Sequence, residues 1–330
     1  HLGARTMNYG DLIKDAFVIS WRNKFLWFFG FFAGGTGTNF LSNVPSGGGN
    51  FDGGDFEQSG AGSSGLAAQL GPGIFDNAAL IVALVVVAVV IFLLFIAMSL
   101  ISQGALAENV AAIDRGEGRR FSSGWRAGLR NFWRVLGYYV VFFLIALGLL
   151  VAIGIPIALL IAGTFAATES VGARVTVAVL AGLLGVVLLL IVFVPFSIIG
   201  QYALREIVVR REGVFASVGG GYRVFRRNIG RSLLVWLINL GLGIGVGIAV
   251  LIALLLVGLV LFLPTIILVF AEQPTAAVVA GIVAGVILLP ILLAVSGATG
   301  TFFHSYWTLA YLRLTGHHED PGPAQASAVA

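Results

Sequence analysis

The sequence has no cysteine and few charged residues. Without cysteine, neither a disulfide framework nor a thiolate metal site is possible. Charged side chains make up only 10% of the 330 residues, whereas 58% are hydrophobic and the mean hydropathy is +1.01. A soluble core cannot bury so much apolar surface, so the composition predicts an integral membrane protein.

Catalytic and cofactor motifs are also missing from the sequence. It shows no Ser/His/Asp arrangement, no paired catalytic carboxylates, no metal-ligand cluster and no glycine loop of the kind that binds phosphates. We therefore expect a non-enzymatic protein without a cofactor or a metal. The isoelectric point of about 9.7 fits a partner of anionic membrane lipid better than nucleic acid.

One pattern occurs twice, ninety-seven residues apart, at 124–136 and 221–233. Both copies read Gly, aromatic, Arg, three variable residues, Arg-Asn, two variable residues, Arg, one variable residue, Leu. Each follows a segment with Gln, Ala-Leu and Glu, and each leads into a long apolar run. A degraded third copy is centred on Arg22 and Asn23. The chain is therefore predicted to contain three repeat units, at about residues 8–113, 115–212 and 213–315.

Each unit is predicted to contain an amphipathic surface helix followed by two membrane spans. Apolar residues recur at helical spacing in three segments, which are 9–21, 121–132 and 215–225. The predicted spans are 25–40, 78–101, 135–162, 175–199, 233–263 and 276–295. The fold class is thus all-α integral membrane, with six transmembrane helices arranged as three pseudo-repeated hairpins, each preceded by a cytoplasmic amphipathic surface helix.

Residues 1–315 are expected to form a single membrane domain. Residues 42–77 are rich in Gly and Ser and read as an external loop, and residues 316–330 read as a disordered cytoplasmic tail. The weakest span is 25–40, because glycines follow its aromatic first half. All Lys and Arg residues except Arg174 fall on one side of this topology, which places both termini in the cytoplasm.

The repeated arginines are candidate contacts for lipid headgroups. Arginine offers a planar fork that matches phosphate, and Trp or Tyr is favourable at the headgroup level. The same arginines also suit a simpler role, in which they set the topology and anchor the surface helices. The candidate residues are Arg126, Arg130, Arg134, Arg223, Arg227 and Arg231, with the aromatics Trp125 and Tyr222.

Polar residues also recur within the spans. Gln103, Gln201 and His304 occupy nearly equivalent places, and we expect them to face the bundle interior, because a lipid-facing polar group is costly. They either join helices by hydrogen bonds or line a polar cavity. Glu108 and Glu206 are the only acidic residues repeated in register, and we interpret them as ion-pair partners of nearby arginines.

Alternating glycines mark the fifth predicted span. Gly241, Gly243, Gly245 and Gly247 form small-xxx-small pairs, a pattern that favours close approach of a neighbouring helix.

The repeated corner, Gly-Trp-Arg or Gly-Tyr-Arg followed by Arg-Asn and an apolar hairpin, resembles uncharacterised prokaryotic membrane families similar to the membrane domain fused to glycerophosphoryl diester phosphodiesterases. The resemblance covers residues 8–313. It does not extend to the soluble phosphodiesterase domain, so enzymatic activity is not implied. It implies a helical module of a prokaryotic plasma membrane, for which we expect an accessory, membrane-organising or anionic-lipid-contacting role. The alternative is a transporter or channel for a small solute or lipid, using a polar intramembrane cavity.

Overall fold

A computed structural model of the chain describes residues 8–34 and 78–316. The predicted external loop at 42–77 and nearly all of the predicted tail lie outside these residues. The described chain folds into eight α-helices, with no strand among them. In chain order they are α1 Tyr9–Arg22, α2 Leu26–Gly34, α3 Ala78–Asp114, α4 Phe121–Ala167, α5 Val171–Val209, α6 Val214–Arg227, α7 Ile229–Phe270 and α8 Pro274–Thr315.

Five of these helices, α3, α4, α5, α7 and α8, are long and apolar enough to cross a membrane. They coincide with five of the six predicted spans, and each continues well beyond its apolar run. The sixth prediction, 25–40, corresponds to α2, which has nine described residues. Nine helical residues cover only about 14 Å, less than the roughly 30 Å of a hydrocarbon core. Residues 35–40 are not described, so a sixth span is not confirmed.

Two of the three predicted surface helices are separate elements. They are α1 and α6, of 14 residues each. For the second unit the prediction is wrong, because residues 121–132 are the first turns of α4, which continues without a break to Ala167. The two corners differ in the contacts of each Asn. Asn228 alone separates α6 from α7, whereas Asn131 lies within α4, where it is buried and donates to Glu108 of α3.

The helices pack closely at one end only, which we call the packed end. Buried residues are concentrated in the C-terminal parts of α3, α5 and α8, together with α1, α2, α6 and the first turns of α4 and α7. In contrast, the most apolar 18-residue stretches of α4 and α7 contain no buried residue. These stretches face outward, as expected of surfaces that lipid covers.

Glycines allow the close contacts of the packed end. A Cβ atom on Gly300 of α8 would overlap the backbone of Gly30 in α2. On Gly128 of α4 it would overlap the backbone of Ile101 in α3, and on Gly221 of α6 it would lie 2.7 Å from a carbonyl oxygen of α5. Helices α1 and α2 thus pack on α8, the start of α4 packs on α3, and α6 packs on α5.

Candidate functional site

The three repeated polar residues of the spans all lie at the packed end. Gln103 on α3 is 1% exposed, and its Oε1 accepts a hydrogen bond from the hydroxyl of Tyr139. Gln201 on α5 and His304 on α8 are half-buried. The Nε2 atom of His304 lies 3.4 Å from the carbonyl oxygen of Ala33, which connects α8 to the end of α2.

Arg205 is the central residue that sequence reasoning missed. Its side chain is fully buried, with 0% exposure. Nη1 donates to Oε1 of Gln201 at 2.5 Å and to its carbonyl oxygen at 2.8 Å, and Nη2 reaches the carbonyl oxygen of His304 at 3.5 Å. Among the described residues, Nε has no hydrogen-bond partner and no carboxylate pairs with the guanidinium. A buried charge without a counter-charge is costly, so the charge of Arg205 is expected to lower the stability of the folded protein.

The sequence contains a signal for Arg205. At the repeat spacing of ninety-eight it occupies the place of Ala107, so one copy carries a charge where the other carries a methyl group. The residues on both sides of it along α5, from Tyr202 to Val208, are also buried. The predicted topology counts Arg205 with the arginines of the charged loops, so its burial was not expected.

Glu108 joins α3 to the start of α4. Its Oε1 pairs with Arg130 Nη2, and its Oε2 accepts from Nδ2 of the buried Asn131 at 2.9 Å. Asn131 also donates to the carbonyl oxygen of Ala127 at 2.9 Å. The Arg-Asn pair of the repeated corner therefore binds one carboxylate from the neighbouring helix.

Glu206 makes different contacts, although it occupies the equivalent position. It is fully buried and pairs with Arg210, one turn along its own helix, at 3.3 Å. Its side chain lies against Gly220 of α6, where an added Cβ would be 3.1 Å from Glu206 Cδ. Within the described chain no hydrogen bond joins Glu206 to Asn228, whose Nδ2 donates to the carbonyl oxygen of Val224 at 3.2 Å.

The three Arg-Asn pairs share one local geometry. In each, the Asn amide donates to the carbonyl oxygen four residues earlier, at distances between 2.9 and 3.2 Å. The donors and acceptors are Asn23 and Ile19, Asn131 and Ala127, and Asn228 and Val224.

All six candidate lipid-contacting arginines are exposed. Arg130 pairs with Glu108, and no ion pair in residues 8–34 and 78–316 involves the other five, which are Arg126, Arg134, Arg223, Arg227 and Arg231. Of the two candidate aromatics, Tyr222 is exposed, whereas Trp125 is half-buried and stacks on Phe121. Trp133, which was not among the candidates, is 76% exposed beside Arg134.

Two concave regions lie near these residues. A cavity of about 120 Å³ opens between the C-terminal ends of α3 and α5, and its lining residues are Glu108, Ala111, Arg115, Arg119, Val208, Val209 and Arg211. An apolar groove of about 350 Å³ lies between α4 and α6 and is lined by Val141, Leu144, Ile145, Phe215 and Val218. Neither region reaches Gln103, Gln201 or His304.

Comparison with known protein families gives one match. A family described as a family of unknown function, DUF7544, matches residues 24–318. No curated protein and no solved structure matches the chain. The match is consistent with an uncharacterised family, and it shows no link to the membrane domain fused to glycerophosphoryl diester phosphodiesterases. With most of its length inside this match and five helices suited to crossing a membrane, the chain is a multispan membrane protein that belongs to the DUF7544 family of unknown function.

Proposed function

We propose that this protein is a non-enzymatic membrane component that contacts anionic lipid headgroups with the exposed arginines of its packed end, in an accessory or membrane-organising role. The observation that carries the proposal is the exposure of five repeated arginines that have no ion-pair partner among the described residues. Each basic residue near an anionic surface contributes about 1 kcal/mol of attraction. Several such residues on one end therefore favour anionic over zwitterionic lipid.

Exposed aromatic side chains beside these arginines support the same proposal. Trp133 is 76% exposed next to Arg134, and Phe215 at the start of α6 is 80% exposed. Large aromatics at such exposure are unfavourable in water but favourable at the boundary between headgroups and acyl chains. Together they give the packed end the amphipathic character of a membrane interface.

The proposed arrangement is three repeat units with six spans and both termini in the cytoplasm of a prokaryotic plasma membrane. The shared geometry of the three Arg-Asn pairs supports the repeat. The charge asymmetry supports the orientation, because Arg174 belongs to the opposite end, where it donates to the carbonyl oxygens of Thr168 and Phe165 at 2.7 and 2.9 Å.

The proposal predicts a lipid preference that depends on the unpaired arginines. In the variant R126Q/R134Q/R223Q/R227Q, we expect the preference for phosphatidylglycerol over phosphatidylcholine to fall at least tenfold, because four favourable charges near the surface are lost. The measurement is the ratio of the two lipids bound to the purified full chain from equimolar mixtures, determined by native mass spectrometry.

The matched control is the corresponding variant with lysine at the same four positions. It keeps the charges and removes the planar forks, so it separates attraction by charge from bidentate recognition. Arg130 stays unchanged in both variants because it holds Glu108. A glutamine variant that keeps the full phosphatidylglycerol preference would refute the proposal.

The alternative, a transporter or channel, is favoured by one observation, the buried Arg205 with its polar neighbours. A transport path must bring water to that centre, and the cysteine-free chain makes this testable with single cysteines. Under the proposed function, we expect the T308C variant to resist a small water-soluble thiol reagent, because Thr308 is fully buried on α8 and donates to the His304 carbonyl oxygen that Arg205 also reaches. The control S122C lies on an exposed position and should react at once. Rapid reaction at position 308 in the folded protein would favour the transporter instead.

A further inference from the structure

The cavity between α3 and α5 is lined by three arginines, Arg115, Arg119 and Arg211, and we call it the arginine cavity. Its residues come from the end of α3, the connection to α4, the end of α5 and the segment after it. None of these arginines belongs to the surface set of the proposed function. An inference about the cavity therefore does not depend on that proposal.

Arginines outnumber acidic residues in the lining of the arginine cavity. Glu108 lines it, but Arg130 and Asn131 already bind both oxygens of that carboxylate. Another carboxylate, that of Glu117, accepts from Arg115 Nε and Nη2 at 3.0 and 2.9 Å. Among the lining residues themselves, three are arginines and one is acidic.

Glu117 also fixes the position of two guanidinium groups. Besides Arg115, Arg119 Nη2 donates to its Oε2 at 2.5 Å. The hydrogen bond from Arg115 and then the charge of Arg119 lower the pKa of Glu117 below its usual value, so the carboxylate stays ionised at neutral pH. An ionised carboxylate that holds two guanidinium groups pre-organises both of them at the cavity.

Hydrogen-bond donors at the cavity remain unused. Arg119 Nε is buried and has no partner among the described residues. Arg211 takes part in no ion pair in residues 8–34 and 78–316, and its backbone has φ of 59°, in the left-handed region that non-glycine residues rarely adopt. Backbone strain of this kind persists where the surrounding structure requires it, and here it accompanies a guanidinium at the cavity wall.

The size and the donors of the cavity together identify a class of ligand. A volume of about 120 Å³ holds several waters, each of which needs about 10–15 Å³ by such a measure, or one tetrahedral oxyanion. Forked guanidinium donors match the oxygens of phosphate. We propose that the arginine cavity binds a phosphate group, supplied either by inorganic phosphate or a small phosphomonoester or by the headgroup of a lipid.

Titration of the purified full chain tests this proposal. We expect inorganic phosphate, or a water-soluble short-chain phosphatidic acid, to raise the unfolding temperature saturably, whereas chloride at the same ionic strength does not. A response to phosphate alone identifies a soluble ligand, and a response to phosphatidic acid alone identifies a lipid headgroup. A response to both supports the shared phosphate chemistry. If neither probe gives a saturable response beyond that of chloride, the proposal is overturned.

The variant R211G removes one guanidinium without straining the fold, because glycine adopts positive φ freely. We expect it to fold like the parent and to bind the responding probe at least tenfold more weakly, since a hydrogen bond to a charged group is lost. The matched control is R226Q, which removes an exposed arginine of α6 that belongs neither to the cavity nor to the surface set of the proposed function. Equal weakening by the control, or full binding by R211G, contradicts the proposed site.

Discussion

The G300A variant is expected to lose much of the stability of the packed end, although it adds only one methyl group. Its Cβ would overlap the carbonyl oxygen of Gly30, lie 2.8 Å from that carbonyl carbon and lie 3.2 Å from Gly34 Cα. All of these are backbone atoms, which cannot rotate away, so α8 and α2 must separate. Overpacking costs typically about 1–3 kcal/mol, and a clash between two backbones belongs at the upper part of that range. Thermal unfolding of the purified protein in one detergent measures the loss.

The matched control is alanine at Gly241, Gly243, Gly245 or Gly247 of α7. No described atom outside the helix lies within 4 Å of the Cβ that such a substitution adds. Since alanine has a helix propensity about 1 kcal/mol better than glycine, the unfolding temperature should stay level or rise. Equal losses in the control and in G300A would show that the contact between α2 and α8 is not the cause.

This contrast shows where the sequence pattern was insufficient. The alternating glycines of α7 were expected to permit close helix approach, and within the described chain that prediction is wrong. The glycines that do permit it include Gly30, Gly300, Gly128 and Gly221. Spacing alone does not distinguish the two groups, because a small-residue stripe forms equally well on a helix face that meets another helix and on one that meets lipid.

The helices themselves were largely predictable. Long apolar runs predicted five spans, and each of them lies inside one long helix, although these helices continue well beyond the runs. The error lay at the corner of the second unit, where Asn131 continues a helix that the equivalent Asn228 ends. Local propensity decides such a boundary only weakly. Here Asn131 is buried against Glu108 of the neighbouring helix, and the local sequence does not show such a tertiary contact.

The polar residues of the site were predictable only where the copies agree. Register between the repeats indicated Gln103, Gln201, Glu108 and Glu206, and all four lie at the packed end. Arg205 is a position where the copies differ, so a search for shared residues passes over it. Its importance comes from burial without a carboxylate, which only the packing of α5 between its neighbours reveals.

The second large effect is expected at Arg205, where two substitutions should act in opposite directions. In R205A a large side chain is lost from a fully buried site, and such truncations cost about 2–5 kcal/mol because a cavity remains. In R205M the volume is largely kept while the buried charge and its unpaired Nε are removed. Replacing buried charges by hydrophobic residues of similar volume is often neutral or stabilises a protein by about 1–4 kcal/mol. We therefore expect R205M to unfold at a higher temperature than the parent and R205A at a lower one.

Comparing the two variants separates a structural from a functional reason for the buried arginine. Arg205 donates to Gln201 within α5 and to the carbonyl oxygen of His304, which joins α5 to α8. If these hydrogen bonds are the reason for the buried arginine, R205M should lose nearly as much stability as R205A. A more stable R205M means that the charge opposes folding, as charged groups kept for binding or transport do. The surroundings of Arg205, with Gln201 and His304, then become the next place to look for a ligand. The search begins with anions, because only an anion offsets the charge that the described side chains leave unpaired.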